Sequence, residues 1–280
     1  MPDNCMGAWH APFLPADIII KGGRRPPLHK SNMKGKQMEK AEIHFKNRAA
    51  KYNHSSNWVE DKKLIRRIFE LSGAGPDSLV LDIATGTGLI AKEFFGKVKK
   101  VTGLDISPEM AKYAEGCMDE IVFAPVEELP FADNSFDAVV CRQGLQFAQL
   151  DKAIPEIHRV LKPQGTTVLC HLTAFNSTDR ELTFAIQKLR NPARRNYLMP
   201  SDISGALKSH GFREVEDIEY VTEESVNKWI DNGAIPQENM DGIRSLYRSA
   251  DDEFKRIHNI RFIGNDIMDE MLLVIAKGRK

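Results

Sequence analysis

The sequence predicts an α/β protein with a doubly wound, mostly parallel seven-stranded sheet, and three observations support this fold class. First, short apolar, β-rich runs alternate with segments of helical periodicity between residues 79 and 175. Second, the stretch LVLDIATGTGLIA, residues 79–91, passes from such a run through a glycine-rich turn into a helix. Third, the pattern after residue 175 becomes mainly helical and closes with the apolar run EMLLVIAKG at 270–278. A helical lid before the last strand is therefore expected.

The composition is typical of a globular protein. Of the 280 residues, 42% are hydrophobic and 28% are charged, and the 39 Lys and Arg residues balance 39 Asp and Glu residues. This balance disfavours nucleic acid as a partner, because no excess positive charge is available to attract it. The four cysteines lack metal-type spacing, so no metal site is expected. Apolar runs are shorter than the roughly 18 residues of a membrane helix, which predicts a cytoplasmic protein without membrane insertion. The oligomeric state is not specified by these features.

The N-terminal part is the least regular. Residues 1–36 combine prolines with the basic run KGGRRPPLHKSNMKGK and show no sustained period, so they are expected to be disordered. Either Met33 or Met38 is then a candidate for the natural start. Residues 37–280 are expected to form the domain, with helical lid elements at about 38–72 and 176–262.

The strands follow in order along the chain. They are expected at about 79–83, 101–105, 121–124, 137–142, 166–172, 213–221 and 270–278. After the second strand, DISPEM places Ser107 as a helix cap and Pro108 in the first helical turn. In a sheet of this type, ligands bind at the carboxyl ends of the strands, which is where the glycine turn lies.

The glycine turn predicts a ligand that carries adenosine. Gly86 and Gly88 allow the backbone to approach a ligand closely at a helix N-terminus. Asp105 ends the second strand, where a carboxylate accepts hydrogen bonds from a ribose diol. A nicotinamide dinucleotide and other adenosine ligands share that diol. Asp82, four residues before Gly86, suits an ammonium group better than a pyrophosphate.

Two further blocks distinguish these ligands. APVEELPFADNSFDAVVCRQGLQF lies at 124–147 and IPEIHRVLKPQGTTVL at 154–169. With the glycine turn and Asp105, they make the chain resemble class I S-adenosylmethionine-dependent methyltransferases of the group that includes the ubiquinone and menaquinone C-methyltransferases. The resemblance implies a Rossmann-like methyltransferase fold, S-adenosyl-L-methionine as cofactor, and methyl transfer to a small-molecule acceptor by in-line displacement.

The resemblance also assigns a set of cofactor-binding residues. They are Asp82, Ala84, Thr85, Gly86, Gly88, Asp105, Ile106, Met110, Val126, Glu127 and Gln143. It places the methionine moiety at the Asp82 to Gly88 turn and the ribose at Asp105. Ile106 and Met110 would pack on the adenine, and the Val126 backbone N–H would face its edge.

The chain departs from the family pattern at several positions. Pro125 stands where an acid often accepts from the adenine amino group, and Glu127 or a backbone carbonyl is the expected replacement. Gln143, with Gly144 and Leu145 after it, would line the methyl-transfer site. The segment KYNHSSNW, residues 51–58, does not match the signature of the quinone enzymes, so a quinone substrate is not implied.

Catalytic and substrate-binding candidates are fewer. His171, expected at the carboxyl end of the fifth strand, is the candidate general base because imidazole titrates near neutral pH. Lys188, Arg190, Arg194 and Arg195 cluster in QKLRNPARRNY, residues 187–197, where they either clamp a carboxylate or phosphate or form a solvated helix end.

Three functions remain in competition at this point. The first is a small-molecule methyltransferase, the second a nicotinamide-dependent oxidoreductase, and the third a non-catalytic protein that binds the cofactor and docks on a partner.

Overall fold

A computed structural model of the protein describes residues 49–280 together with residues 44, 46 and 48. The segment 1–36, expected to be disordered, lies outside the described residues. Most of residues 38–48, where a helical element is expected to begin, also lie outside the described residues.

The strands form one sheet whose members are bounded as follows: β1 Leu79–Ile83, β2 Lys100–Asp105, β3 Glu120–Phe123, β4 Phe136–Arg142, β5 Leu161–Thr173, β6 Arg213–Ser225, β7 Arg261–Ile263 and β8 Asp266–Arg279. All seven expected strands are present, and β7 is additional. β7 and β8 are joined by the two residues Gly264 and Asn265, and Gly264 has a positive φ of 59°. Two-residue turns of this composition are a hairpin signal, so β7 was detectable within a segment expected to be helical.

Helices flank the sheet on both faces. Their bounds are α1 Asn57–Glu60, α2 Lys62–Ser72, α3 Leu89–Phe94, α4 Pro108–Ala111, α5 Leu150–Val160, α6 Arg180–Arg190, α7 Asp202–Ser209, α8 Val226–Ile230, α9 Gln237–Ser249 and α10 Asp252–Ile257. Two 3-10 helices, Ala49–His54 and Leu145–Phe147, lie near the sheet edge discussed below.

The strand order is β3-β2-β1-β4-β5-β8-β6, with β7 paired to β8. Strands β1 to β5 pair in parallel, whereas β8 pairs antiparallel with β5, β6 and β7. The chain first builds outwards from β1 to β3 and then returns to the other side of β1 with β4. The reversal creates a crevice at the carboxyl ends of β1 and β4, which is where ligands bind in such sheets. The predicted fold class is confirmed.

Local sequence explains how the helices begin. At α2, Asp61 accepts hydrogen bonds from the backbone N–H groups of Lys63 and Leu64, and Gly73 ends the helix in the left-handed conformation. At α4, Ser107 accepts from the N–H of Met110 at 3.3 Å, and Pro108 occupies the first turn. This cap fixes the chain direction immediately after Asp105.

The segment 176–262 packs on the sheet but is not entirely helical, since it contains β6 and most of β7. A buried polar network ties its helices to the sheet. His258 lies between Asp179 and Asp269, with nitrogen-to-oxygen distances of 3.1 and 2.9 Å, and Tyr247 donates to Asp269 at 2.5 Å. Burial alone lowers the pKa of His258, but the two carboxylates outweigh it and raise that pKa to about 9. The imidazolium therefore links the start of α6 to α9, α10 and β8.

Candidate active site

The turn after β1 is held in a conformation that favours glycine. Ala84, Gly86 and Gly88 have positive φ angles of 54°, 56° and 76°. A Cβ on Gly86 would lie 3.3 Å from the Met110 side chain, and its N–H donates to Oδ2 of Asp105 at 2.8 Å. The end of β2 thus fixes the turn that follows β1.

Asp105 is the central carboxylate of this edge. Its Oδ1 accepts from the N–H of Ser107 at 2.8 Å while Oδ2 accepts from Gly86, and only 8% of the residue is exposed. Burial raises its pKa, and the hydrogen bonds from the Ser107 and Gly86 N–H groups oppose that rise. Because each carboxylate oxygen has two lone pairs, Asp105 can still accept further hydrogen bonds.

A cavity of about 350 Å³ opens beside Asp105, within the range of small-molecule sites. It lies at the carboxyl ends of β1, β2 and β4. Residues expected to bind the cofactor that line it are Ala84, Gly86, Asp105, Ile106, Met110, Val126, Glu127 and Gln143. The fold therefore brings together residues that are up to 59 positions apart in the sequence.

The other three residues expected to bind the cofactor, Asp82, Thr85 and Gly88, do not line this cavity. Asp82 is 1% exposed, and its Oδ2 accepts from the Thr85 hydroxyl at 2.6 Å and from the N–H of Ala91 at 3.1 Å. Burial raises the pKa of Asp82 to about 7, opposed by the Thr85 hydrogen bond. Gly88 instead begins α3 with a positive φ. The Asp82 carboxylate and the Thr85 hydroxyl therefore bind within the turn itself, and the assignment of these three residues to cofactor binding stays a prediction.

Glu127 lines the cavity but already has a protein partner. Its Oε1 accepts from the N–H of Gln149 at 2.8 Å, just before α5. Glu127, two residues after Pro125, is therefore tied to the start of that helix.

Gln143 and Gly144, which follow β4, form another part of the cavity wall. Gln143 has a φ of 61°, and its N–H donates to the carbonyl of Cys170 at 2.9 Å. Its side-chain Oε1 accepts from Gln146, whereas its buried Nε2 has no hydrogen-bond partner among the described residues. A Cβ on Gly144 would lie 2.5 Å from the Ala84 side chain, so the turns after β1 and β4 are in direct contact.

His171 lies near the end of β5, but its side chain is enclosed. It is 1% exposed, does not line the large cavity, and has Nδ1 3.2 Å from Oε1 of Gln146. Burial, with a smaller contribution from Arg194, lowers its pKa to about 3. His171 therefore lies two residues before the end of β5 at Thr173, but its enclosed side chain does not line the large cavity.

The basic cluster expected at 187–197 separates into different environments. Lys188 is exposed and Arg195 lines the large cavity, whereas Arg190 and Arg194 line a second, small cavity of about 30 Å³. Arg48, which the sequence did not single out, also lines the small cavity.

Sequence reasoning also missed Tyr52 and Phe147, which line both cavities. Phe147 belongs to the CRQGLQF block, and its position after β4 was a usable signal. Tyr52 lies in the segment KYNHSSNW. Because this segment does not match the signature of the quinone enzymes, the sequence offered no reason to place Tyr52 at the site. Across the described part of the chain, no group of three or more His, Cys, Asp or Glu residues could hold a metal ion.

Comparisons with known proteins agree with this geometry. The sequence model of a methyltransferase domain matches residues 81–169. A demethylmenaquinone methyltransferase from Thermotoga maritima is 34% identical over 208 residues, which cover 64% of this chain and 91% of that protein. A demethylmenaquinone methyltransferase from Porphyromonas gingivalis is 32% identical over 152 residues. This match covers 50% of this chain and 62% of that protein.

A solved structure shows the same fold. The YcgJ protein from Bacillus subtilis superposes with a TM-score of 0.71 at 24% identity, covering 77% of this chain and 97% of that one. The sequence match to the Thermotoga maritima enzyme extends over nearly all of its length, and the methyltransferase-domain match at 81–169 includes the glycine turn, Asp105 and Gln143. The chain therefore belongs to the class I S-adenosylmethionine-dependent methyltransferases.

Proposed function

We propose that this protein transfers a methyl group from S-adenosylmethionine to a small-molecule acceptor that enters the large cavity beside Gln143. The observation that carries the proposal is the position of Asp105, a buried carboxylate held by two backbone N–H groups and presented to a cavity of about 350 Å³. A carboxylate in this place suits a ribose diol.

The residues fit the cofactor on two further observations. Gly86 and Gly144 both line the cavity and present only backbone atoms to it, because neither has a side chain. The Nε2 of Gln143, a residue that lines the same cavity, is a buried donor without a partner among the described residues. An unpaired buried donor is costly unless a ligand or water accepts from it.

The proposed roles follow the cavity lining. Asp105 accepts from the ribose hydroxyls, Ile106 and Met110 pack against the adenine, and the Val126 N–H faces the adenine edge. The role of Asp82, Thr85 and Gly88 is indirect. They hold the conformation of the turn that carries Ala84 and Gly86.

The cofactor, when bound, supplies a methyl group attached to a sulfonium sulfur, and the neutral thioether that remains needs no protonation to leave. The protein's main task is then to align acceptor and methyl, and proximity of this kind supplies several kcal/mol. Burial of His171 with a pKa of about 3 argues against its use as a base near neutral pH. We infer that the acceptor is nucleophilic as bound, or loses its proton to another group.

The remaining assignments complete the proposal. We assign the elements at about 38–72 and 176–262 to the substrate lid, because Tyr52 and Arg195 come from them and line the cavity. Small metabolites are the proposed partners, consistent with the quinone-precursor enzymes named among the relatives. The cytoplasm is the proposed location. Within the described part, no helix is long and apolar enough to cross a membrane.

Calorimetry with S-adenosylhomocysteine and with NADH tests the proposal. We expect saturable, one-to-one binding of S-adenosylhomocysteine and no measurable heat with NADH. The converse result would favour the nicotinamide-dependent alternative and overturn the proposal. Mass spectrometry of a metabolite mixture incubated with enzyme and deuteromethyl-labelled S-adenosylmethionine then identifies the methylated product.

A further inference from the structure

The small cavity next to the active site is lined by three guanidinium groups. Arg48, Arg190 and Arg194 are each at least half buried, and Arg48 and Arg190 are only 4% and 9% exposed. They come from the N-terminal segment, the end of α6 and the loop after it. Positive charge from separate parts of the chain therefore converges on a volume of about 30 Å³.

No described carboxylate lies within ion-pair distance of these three groups. Their hydrogen-bond acceptors are neutral, for example the Trp229 carbonyl, which accepts from Nε of Arg190 at 3.3 Å, and the Leu172 carbonyl, which accepts from Arg194 at 3.2 Å. Glu224 is close enough to affect Arg190 electrostatically. Its two oxygens, however, accept from the backbone N–H groups of Asn57 and Trp58.

The arrangement is electrostatically unfavourable without a counter-ion. Burial and the charges of Arg48 and Arg194 lower the pKa of Arg190 well below its usual value. Buried charges in proteins are normally paired, because an unpaired one loses its hydration without compensation. The three guanidinium groups do lie over aromatic rings, those of Tyr52, Trp229 and Tyr197, at 4.6, 4.3 and 5.7 Å. None of them has a carboxylate partner among the described residues, and three such groups at one place indicate an anion-binding site.

Unpaired donors around the same cavity support this reading. Arg190 Nη2, Arg48 Nε, Asn191 Nδ2 and the indole N–H groups of Trp58 and Trp229 are all buried and have no hydrogen-bond partner among the described residues. Each of these residues is more than nine-tenths buried. Such donors suit an acceptor-rich ligand group.

The small cavity adjoins the proposed methyl-transfer site. Tyr52, Gln143 and Phe147 line both cavities. A molecule anchored among the arginines would therefore reach past these side chains towards the wall at Gln143.

We propose that the methyl acceptor carries a carboxylate, and that Arg48, Arg190 and Arg194 bind this group in the small cavity. The proposal rests on the proposed function, because it deepens the description of the same site. A carboxylate is favoured over a phosphate because the cavity is small and because guanidinium groups pair with carboxylates in a planar, two-pronged geometry.

Thermal unfolding in small anions tests the proposal. We would measure the Tm in sodium acetate, in sodium chloride of equal ionic strength, in acetamide and in methylphosphonate. If acetate is present at about five times its Kd, it should raise the Tm by about 2–4 °C more than chloride does. Acetamide has a similar shape without the charge and should give no comparable shift.

Two variants make the test specific. Arg190→Met removes one guanidinium group and should abolish the acetate-specific shift. Its Tm without acetate is the reference for its own shift, because loss of the hydrogen bond to the Trp229 carbonyl opposes the gain from removing a buried charge. Lys188→Met removes an exposed cation from the same helix and should retain the full shift. Arg194→Met provides an independent second loss of the shift.

The measured shifts either support or overturn the proposed carboxylate site. An acetate-specific shift present in the wild type and Lys188→Met but absent in both arginine variants supports the proposal. An equal effect of acetate and chloride in the wild type, or a full shift in Arg190→Met, overturns it. A larger shift with methylphosphonate than with acetate overturns the choice of a carboxylate.

Binding of S-adenosylhomocysteine is measured in parallel and separates the two proposals. Arg190 does not line the large cavity, so Arg190→Met should bind S-adenosylhomocysteine like the wild type. Failure of that binding in the wild type would refute the proposed function. If the wild type binds S-adenosylhomocysteine but shows no acetate-specific shift, the carboxylate site alone is refuted.

Discussion

Replacement of Asp105 by Ala should affect both stability and cofactor binding. In the free protein the substitution removes the acceptors of two buried backbone N–H groups, those of Gly86 and Ser107, each at 2.8 Å. In the complex it also removes the proposed acceptor of the ribose hydroxyls. The two effects can be measured separately because one is present without ligand.

The structure sets the magnitudes. Hydrogen bonds to a charged group contribute about 1.5–3 kcal/mol each, and relief of the cost of burying the carboxylate offsets part of the sum. A net loss of about 2–4 kcal/mol is expected, which lowers the Tm by about 5–15 °C for a domain of this size. Loss of the ribose contacts should weaken S-adenosylhomocysteine binding by at least about tenfold.

Asp119→Ala is the matched control. Asp119 accepts from the N–H of Val101 at 2.7 Å, near the opposite end of β2 and outside the cavity. It should lower the Tm by less and leave the affinity unchanged. Calorimetry well below the Tm of both variants, with unfolding followed by circular dichroism, provides the comparison. An unchanged Tm in Asp105→Ala would refute the turn-anchoring argument, and equal affinities in the two variants would refute the ribose assignment.

Three further predictions concern the histidines and the glycines. Since the folded pKa of His258 is raised from 6.5 to about 9, its stabilising contribution is complete below about pH 6.5 and is lost as the pH rises through about 9. The free energy of unfolding should therefore fall more steeply between pH 7 and 10 in the wild type than in His258→Gln, and parallel curves would contradict this. His171 should remain neutral from pH 5 to 8 in nitrogen-15 NMR spectra, because its pKa is about 3, and a midpoint near 6.5 would show that it is accessible to solvent. Gly144→Ala should destabilise the protein by about 1–3 kcal/mol, because the new Cβ crowds Ala84. Gly205→Ala, in open space on α7, should stabilise it by about 0.5–1 kcal/mol. Equal denaturation midpoints of the two variants would refute the close approach of the turns after β1 and β4.

Local signals determined much of the fold. β1 begins and ends where its apolar run does, and Ser107 with Pro108 marks the start of α4. These features depend only on residues that are neighbours in the chain, so the sequence pattern predicts them. The same holds for Asp105, which ends β2 at a fixed distance from the glycine turn.

Side-chain direction at the site was not available from the sequence. Asp82 and Asp105 both end strands next to the same turn, but the first binds Thr85 and Ala91 inside the protein and the second faces the cavity. Likewise His171 lies near the end of β5, but its side chain is enclosed, with Nδ1 3.2 Å from Oε1 of Gln146. Strand register and the exact strand end decide such cases, and both depend on pairing with distant strands.

The sequence by itself determined the order of the strands along the chain, the glycine turn, Asp105 and membership in a methyltransferase family. Tertiary structure alone decided that Arg48 joins Arg190 and Arg194, which lie more than 140 positions away in the chain. It also separated Lys188, which is exposed, from Arg190 on the same helix. Strand and turn formation depend on residues close in sequence, whereas the charge of a cavity depends on which distant segments the packed core brings together.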